Sequence, residues 1–352
     1  MKKTTSEVIV GDSKYLSGIK NSSVELVVTS PPYPMIAMWD EIFCKQDERI
    51  SKAFEANDGA LCFELMHKLL DSVWCEIERV LIPGGIACIN IGDATRSVEN
   101  NFQLFDNRSR IVKPFVENGM QMLPNLIWRK QTNSPNKFMG SGMLSPGGYV
   151  TLEHEHILIF RKGRKREFKT PEEKLNRSKS AYFWEERNTW FSDVWVDIKG
   201  IGQKIDDGNL RNRSGAFPFD IAYRLIQMFS VKDDTVVDPF LGTGTTAIAA
   251  MASQRNCVGC EIDSNLLPII TEGLLNCVEF NNNRIENRIK AHLGFVEGRK
   301  RSKLKMKYKN EVHGFPVMTK QEIKAEFCFV RSVERLSEKS ITANYRLANN
   351  FE

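Results

Sequence analysis

Long apolar runs are missing from this 352-residue chain, and no stretch approaches the ~18–20 residues that a membrane span requires. The opening Met1-Lys2-Lys3-Thr4-Thr5 lacks the apolar core of a signal peptide and runs straight into a strand-like segment. Both absences point to a cytoplasmic protein. Paired cysteine is missing too. The eight cysteines are scattered through apolar segments, as at Cys75, Cys88 and Cys277, and read as small core residues of a reducing compartment. The one CxxC, Cys257-Val258-Gly259-Cys260, has no second Cys or His pair at zinc spacing. It sits in a strand-like run whose alternation sends the two thiols to opposite faces. His154 and His156 read as strand residues without fitting partners, so no metal site is expected.

What is present suits a globular enzyme. Hydrophobic residues make up 41% and charged residues 26%, enough for one large core or a core with a smaller module. The net charge of +5 is unevenly placed. Residues 161–180 hold nine Lys/Arg against three Glu, and residues 281–310 hold ten against two. Such density suits a polyanion, because each neutralised phosphate releases counterions. A solvated face or a flexible tail accounts for it equally well.

Along the chain, short β-branched runs alternate with segments of helical spacing. Strands are expected at Glu7–Val10, Val24–Thr29, Gly85–Ile91, Leu123–Arg129, Glu155–Arg161, Thr235–Val237 and Cys257–Ile262. Helices are expected over residues 59–81, at Phe219–Phe229, Thr245–Ser253 and Leu266–Val278, with a helix end near Phe115–Gly119. This alternation predicts an α/β fold with a mostly parallel sheet covered on both faces. The pattern breaks over 163–205, where charges and aromatics cluster, and weakens after about residue 281.

Two loops carry chemistry. The run Val236-Val237-Asp238-Pro239-Phe240-Leu241-Gly242-Thr243-Gly244-Thr245-Thr246 is a strand, a Gly-x-Gly turn and a helix start. Glycines let a ligand approach the backbone there, and a helix N-terminus offers free N–H donors. The next strand ends at Glu261, about 20 residues on, where Rossmann-like folds bind ribose. No lysine follows the second glycine, so this is not a Walker phosphate site; a nucleoside cofactor with a sulfonium suits it better. The second loop is Thr29-Ser30-Pro31-Pro32-Tyr33-Pro34, directly after a buried strand. Its prolines hold the backbone extended and remove two N–H groups, which leaves the Pro31 carbonyl and Ser30 hydroxyl to face an amino group. Tyr33 offers a face for a planar base. In isolation, the same residues would make an ordinary proline-rich turn with a core tyrosine.

Together the loops resemble the β-type bacterial DNA amino-methyltransferases of restriction-modification systems, the cytosine-N4/adenine-N6 family. That family carries Ser/Asp/Asn-Pro-Pro-Tyr/Phe, here Ser30, Pro31, Pro32 and Tyr33, and Asp-Pro-Phe-x-Gly-x-Gly-Thr-Thr, here Asp238 through Thr246. Further similarities follow in the family's order: Ile9–Ser13, Arg79–Gly85, Asn90–Asp93, Ile127–Lys130 with Ser134-Pro135, Glu155–Lys162, and Ala216–Phe219 with Arg224–Ile226. The match covers roughly two-thirds of the chain, and catalytic motif before cofactor motif is the circularly permuted order.

The resemblance implies a Rossmann-like S-adenosylmethionine-dependent methyltransferase sheet with a small target-recognition module. Residues 1–162 would be its catalytic half, 163–205 the recognition region, 206–280 the cofactor half and 281–352 a basic extension. Phe240 would pack on the cofactor, Gly242, Gly244, Thr245 and Thr246 would cradle its amino-acid part, and Glu261 would bind ribose. Asp238 would belong to the same cofactor loop, Asp12 would lie near the adenine, and Phe217 would flank the methionine end. Ser30 and the Pro31 carbonyl would hold the amino group of a flipped-out base stacked on Tyr33. Ser at this position favours cytosine N4, whereas adenine-N6 members usually carry Asp or Asn. No Pro-Cys dipeptide is present, which excludes the usual thiolate of cytosine-C5 enzymes.

The implied partner is double-stranded DNA, with a separate cognate endonuclease and a monomeric or dimeric enzyme. Arg164, Lys165, Arg166 and Arg177 would contact it. Phe183, Trp184, Trp190 and Trp195 read as packing of the recognition region. The tail from Arg284 to Lys309 would clamp DNA or form a disordered arm, and 311–352 would extend the recognition module. Adenine-N6 methylation, a catalytically silent DNA-binding protein and an RNA substrate remain as competing readings.

Overall fold

The computed structural model describes residues 3–130, 141, 143–200 and 217–348. The first strands are β1 (Lys3–Val10) and β2 (Val24–Thr29), and β2 is buried on both faces as befits a central parallel strand. After α1 (Asp40–Gln46) and α2 (Glu48–Glu55) comes α3 (Gly59–Val80). The Asp58 carboxylate starts α3 by accepting the Leu61 N–H at 2.9 Å. Leu65, Leu70, Val73, Trp74 and Ile77 form its buried stripe. Leu81 turns extended ahead of Pro83 and leads straight into β3 (Leu81–Ile91), which therefore begins four residues before the expected Gly85.

The hairpin β4 (Ala94–Val98) and β5 (Asn101–Phe105) precedes α4 (Asn107–Glu117). Next come β6 (Met120–Met122), β7 (Leu126–Arg129) and β8 (His154–Lys162). The region of broken alternation holds α5 (Pro171–Lys179), α6 (Trp184–Trp190) and β9 (Val194–Trp195). Regular alternation then resumes with α7 (Phe219–Phe229), β10 (Thr235–Asp238), α8 (Thr245–Ala252), β11 (Asn256–Glu261) and α9 (Leu267–Asn276). These five fall within two residues of the bounds read from the sequence.

The rest of the chain corrects the reading of 281–352. Residues 278–301 form one long helix, α10 (Val278–Arg301), where a basic arm was expected. Small strands β12 (Tyr308–Lys309) and β13 (Pro316–Val317) lead to the hairpin β14 (Cys328–Ser337) and β15 (Ser340–Leu347). β15 runs antiparallel along β1, pairing Thr5 with Thr342, so the segment completes the central sheet.

Among the described residues the sheet has eleven strands in the order β14-β15-β1-β11-β10-β2-β3-β8-β7-β9, with β6 also on β8. The five from β1 to β3 are mutually parallel, and β8 returns antiparallel. One face is covered by α3 and α4, the other by α7 to α10 and the aromatics of 183–195. Cys257 and Cys260 belong to opposite faces, as strand alternation requires. Phe183, Trp190 and Trp195 are core residues, while Trp184 is 37% exposed.

Neighbouring strands β2 and β10 send their following helices, α3 and α8, to opposite faces. A crevice opens at such a switch point, beyond the C-terminal ends of the strands.

Helix α10 is held by charge as well as apolar contact. Arg288, with its side chain 5% exposed, donates to both oxygens of Glu186 at 2.6 and 2.7 Å and to the Tyr223 hydroxyl at 2.6 Å. Next to it, the buried His292 ring stacks on Phe183 at 3.9 Å, and its nitrogens meet Glu185 and the Pro316 carbonyl. Removing one member of a buried pair strands the other, so Arg288→Ala should cost roughly 3–5 kcal/mol in urea unfolding. Replacing Glu186 by leucine in the same chain should recover part of that loss. A single-variant cost below about 1 kcal/mol would show the pair to be energetically idle.

Candidate active site

The parallel strands deliver both chemical loops to one edge. β1 leads into Gly11-Asp12, β2 into Ser30 and β3 into Gly92-Asp93, while β10 ends at Asp238 and β11 at Glu261. Between them lies a cavity of ≈ 370 Å³ whose lining includes Asp12, Ser30, Pro32, Phe217, Phe240 and Glu261. Gly242, Thr245 and Thr246 also face it. Gly242 and Gly244 take φ of 55° and 90°, the left-handed region where a side chain is strained. Gly244 caps α8 and no side chain closes that helix start, which is suited to polar ligand atoms.

The carboxylates of this loop serve the protein first. Asp238 is enclosed and accepts from Thr29 Oγ1 at 2.5 Å, Thr246 Oγ1 at 2.6 Å and the Phe240 N–H at 3.0 Å. Burial outweighs those three bonds and pushes its pKa up to about 6. Asp238 therefore ties the residue before Ser30 to the Gly-x-Gly turn, and it also lines the cavity. Glu261 accepts the Gly242 N–H and the Asp263 N–H, each at 2.8 Å, and burial raises its pKa as well. Asp12 sits at the rim, 2.9 Å from the Lys14 ammonium. Phe217 is buried just ahead of α7, and Phe240 meets Trp74 edge-on at 6.1 Å.

Sequence reasoning missed the cavity's apolar wall, Trp39 and Phe43 near α1 and Leu69, Leu70 and Val73 of α3. Helical spacing marks a buried face but not which turn of it borders a void.

The Ser30–Tyr33 loop is anchored by residues from three strands and a helix. Asn107 donates to the carbonyls of Pro34 and Gly92 at 3.1 and 3.0 Å. The Tyr33 hydroxyl donates to Glu155 Oε2 at 2.8 Å, and Ser30 Oγ donates to the Tyr33 oxygen at 3.1 Å. Asn90 Nδ2 lies 2.8 Å from the Tyr33 oxygen and 2.7 Å from Glu155 Oε2. Lys130 holds the other Glu155 oxygen at 2.9 Å. Gly92 leaves room for the ring, since a Cβ there would lie 3.1 Å from Tyr33 Cε2. Burial and then the Glu155 charge hold the Tyr33 phenol well above its usual range. Asn90 and Glu155 were legible only as parts of strands, whereas the resemblance put Lys130 in a segment lining the target-base pocket. A carboxylate inside the run Glu155–Phe160 was the available signal.

The four residues expected to contact DNA are elsewhere. Gly84, near the start of β3, packs so closely on the following segment that a Cβ would lie 2.4 Å from the Arg166 nitrogen. Arg166 is bound to Asp234, ahead of β10, at 2.6 Å. Arg164 and Lys165 flank it, and the Arg177 guanidinium covers the Phe168 ring at 4.9 Å. These groups lie at the N-terminal edge of the sheet, about 20 Å from Tyr33 along β3. At that edge Arg166 and Arg177 make packing contacts, and Arg164 and Lys165 are exposed. Ser134-Pro135 and Ala216 lie outside the described residues. Among the described residues no cluster could hold a metal ion, and no helix is long and apolar enough to cross a membrane.

Comparison with known proteins gives the same answer as the fold. The N6/N4 DNA methylase family matches residues 24–272. The Type II methyltransferase M.MthZI of Methanothermobacter thermautotrophicus is 45% identical over 348 residues, 99% of this chain and 97% of that protein. M.MjaI of Methanocaldococcus jannaschii, also named a Type II methyltransferase, is 49% identical over 76% of this chain and 91% of its own. Among solved structures, a Thermus thermophilus protein assigned as a DNA modification methylase, complexed with S-adenosyl-L-methionine, is 30% identical with a TM-score of 0.59. The match covers 76% of this chain and 92% of that one. The fold and the loop at its switch point define the class, an S-adenosylmethionine-dependent methyltransferase. This chain belongs to the N6/N4 DNA methylase family, and DNA is its substrate.

The state of Asp238 gives a test of the site's electrostatics. A carboxyl whose folded pKa is raised binds its proton more tightly in the folded chain, so ionising it costs stability. Relative to Asp238→Asn, wild type should gain stability as pH falls from about 7 to 4.5, by up to roughly 2 kcal/mol. Unfolding of both proteins across that range measures the difference. The opposite trend would mean that the three hydrogen bonds outweigh burial.

Proposed function

We propose that this enzyme methylates the N4 amino group of cytosine in duplex DNA, as the modification partner of a restriction endonuclease. The observation that carries the reading is Ser30, which follows β2, lines the cavity and bonds to Tyr33. The Type II designation of the two archaeal relatives supports the restriction-modification setting.

The cavity fits the cofactor. It joins an apolar wall to an uncapped helix start and to Glu261, whose oxygens accept the Gly242 and Asp263 N–H groups. Phe217, Phe240 and the Gly242–Thr246 turn would hold the amino-acid and sulfonium end, with Glu261 at the ribose and Asp12 at the adenine. When bound, S-adenosylmethionine supplies an electrophilic methyl group.

The chain's own residues supply alignment. Swinging the base out of the helix costs a few kcal/mol and exposes its amino group. Tyr33 stacks on the base, while the Ser30 hydroxyl and Pro31 carbonyl accept its two N–H groups. That aims the nitrogen lone pair at the methyl and stabilises the positive charge that develops there. Pro32 keeps the carbonyl in place. No covalent link to the protein forms.

Labelled methyl transfer to mixed-sequence duplex DNA, followed by nucleoside analysis, tests this reading. N4-methylcytosine is expected, with Ser30→Ala lowering kcat about 10²–10³-fold while cofactor binding persists. N6-methyladenine would overturn the assignment of the base. Label found only in RNA would overturn that of the nucleic acid, and a chain that binds no S-adenosylmethionine would be a silent DNA-binding protein.

A further inference from the structure

We infer that Glu155 is a positioning residue that fixes the direction of a hydrogen-bond chain, Ser30 to Tyr33 to Glu155, so that Ser30 meets the target amino group as an acceptor. The inference rests on the amino-methyl transfer proposed above and adds a part to it.

The need arises from the chemistry of serine. A hydroxyl both donates and accepts, whereas a carboxylate only accepts. At the reacting nitrogen the two roles have opposite effects. Accepting an N–H draws positive charge off the nitrogen as it is methylated. Donating to the nitrogen occupies the lone pair that must attack. A serine at this position therefore needs its proton taken elsewhere.

The structure supplies the place. Glu155 is 9% exposed on β8 and has no proton to give as a carboxylate. The single Tyr33 proton must therefore point at its Oε2, 2.8 Å away. Asn90 is oriented by the same charge. Its Nδ2 faces Glu155 Oε2 at 2.7 Å, where a flipped amide would set two oxygens together. With its proton spent, the Tyr33 oxygen can only accept from its other neighbours, Asn90 Nδ2 at 2.8 Å and Ser30 Oγ at 3.1 Å. Ser30 thus spends its only proton on Tyr33, and its lone pairs are left for the cavity that it lines. Lys130, 2.9 Å from Glu155 Oε1, holds the carboxylate from the other side. Three strands meet in the chain: Ser30 follows β2, Asn90 lies on β3 and Glu155 on β8. The close approach of Gly92 to Tyr33 and to Glu155 Cγ, 3.3 Å from a Cβ built there, lets them converge.

The test is steady-state methylation of duplex DNA with labelled S-adenosylmethionine by wild type, Glu155→Gln, Tyr33→Phe and the double variant. A glutamine amide can donate to the Tyr33 oxygen, which turns the phenol proton towards Ser30 and the serine proton into the cavity. Glu155→Gln should lower kcat about tenfold to a hundredfold. Cofactor Kd and the KM for DNA should stay within about twofold, a split that loss of structure would not give. Tyr33→Phe keeps the ring but cuts the chain, so adding Glu155→Gln to it should lower kcat no further. Wild-type kcat in Glu155→Gln, or losses that multiply in the double variant, would overturn the inference. If Glu155→Gln does not fold, Tyr33→Phe decides: unchanged kcat overturns the inference, and lowered kcat at constant KM supports it. Label transfer by wild type reads the proposed function, and the ratios between variants read the chain of bonds, so the two can fail separately.

Discussion

A single buried carboxylate joins the two halves of this enzyme's chemistry. Asp238 closes β10, reaches across to Thr29 at the end of β2, and holds Thr246 in the first turn of α8. The Ser30–Tyr33 loop starts one residue beyond Thr29 and the Gly-x-Gly turn lies between Asp238 and Thr246, so the spacing of the two is set by one side chain. Such a group must be taken out of water, and its raised pKa records that cost. Hydroxyls are suited to the task. Each satisfies a lone pair without bringing a second charge into the core.

On the sheet's other side the solution is different. α10 is rich in lysine and arginine, yet Asn281, Arg288 and His292 turn inward along with Ile285, Ile289 and Val296. Arg288 is matched by Glu186 and enclosed by the rings of Trp190, Tyr223 and Phe327. The α6 segment is thereby clamped to the helix through ionic and aromatic contacts. A polar core of this kind specifies one docking geometry, because each polar group fits only its own partner.

The legibility of the sequence follows the distance over which each signal acts. Phe219–Phe229 and the strand–turn–helix around Gly242 were read almost to the residue, since apolar spacing and glycine are local codes. α10 was hidden because buried Asn281, Arg288 and His292 interrupt its apolar stripe and its basic face resembles a tail. Positions within the Ser30–Tyr33 loop were legible because they are consecutive. The approach of Asn90 and Glu155 to that loop was not, since strand pairing alone brings them there. The position of the charges at 164–166 was hidden for a related reason: composition reports a cluster of cations but not the end of the sheet at which it lies.

The outermost strands carry a further consequence. An open sheet ends in backbone donors and acceptors that could recruit another chain, which is how ordered aggregates begin. Here the terminal strand β14 is bent by irregular register between Val330 and Ser332 and again between Arg335 and Ser337. It also bears Arg331, Glu334 and Arg335. At the opposite limit, β9 has only two residues. Kinks, charge and brevity make each margin a poor template. A wide sheet can then remain dispersed at high concentration, although its central strands are among the stickiest segments of the chain.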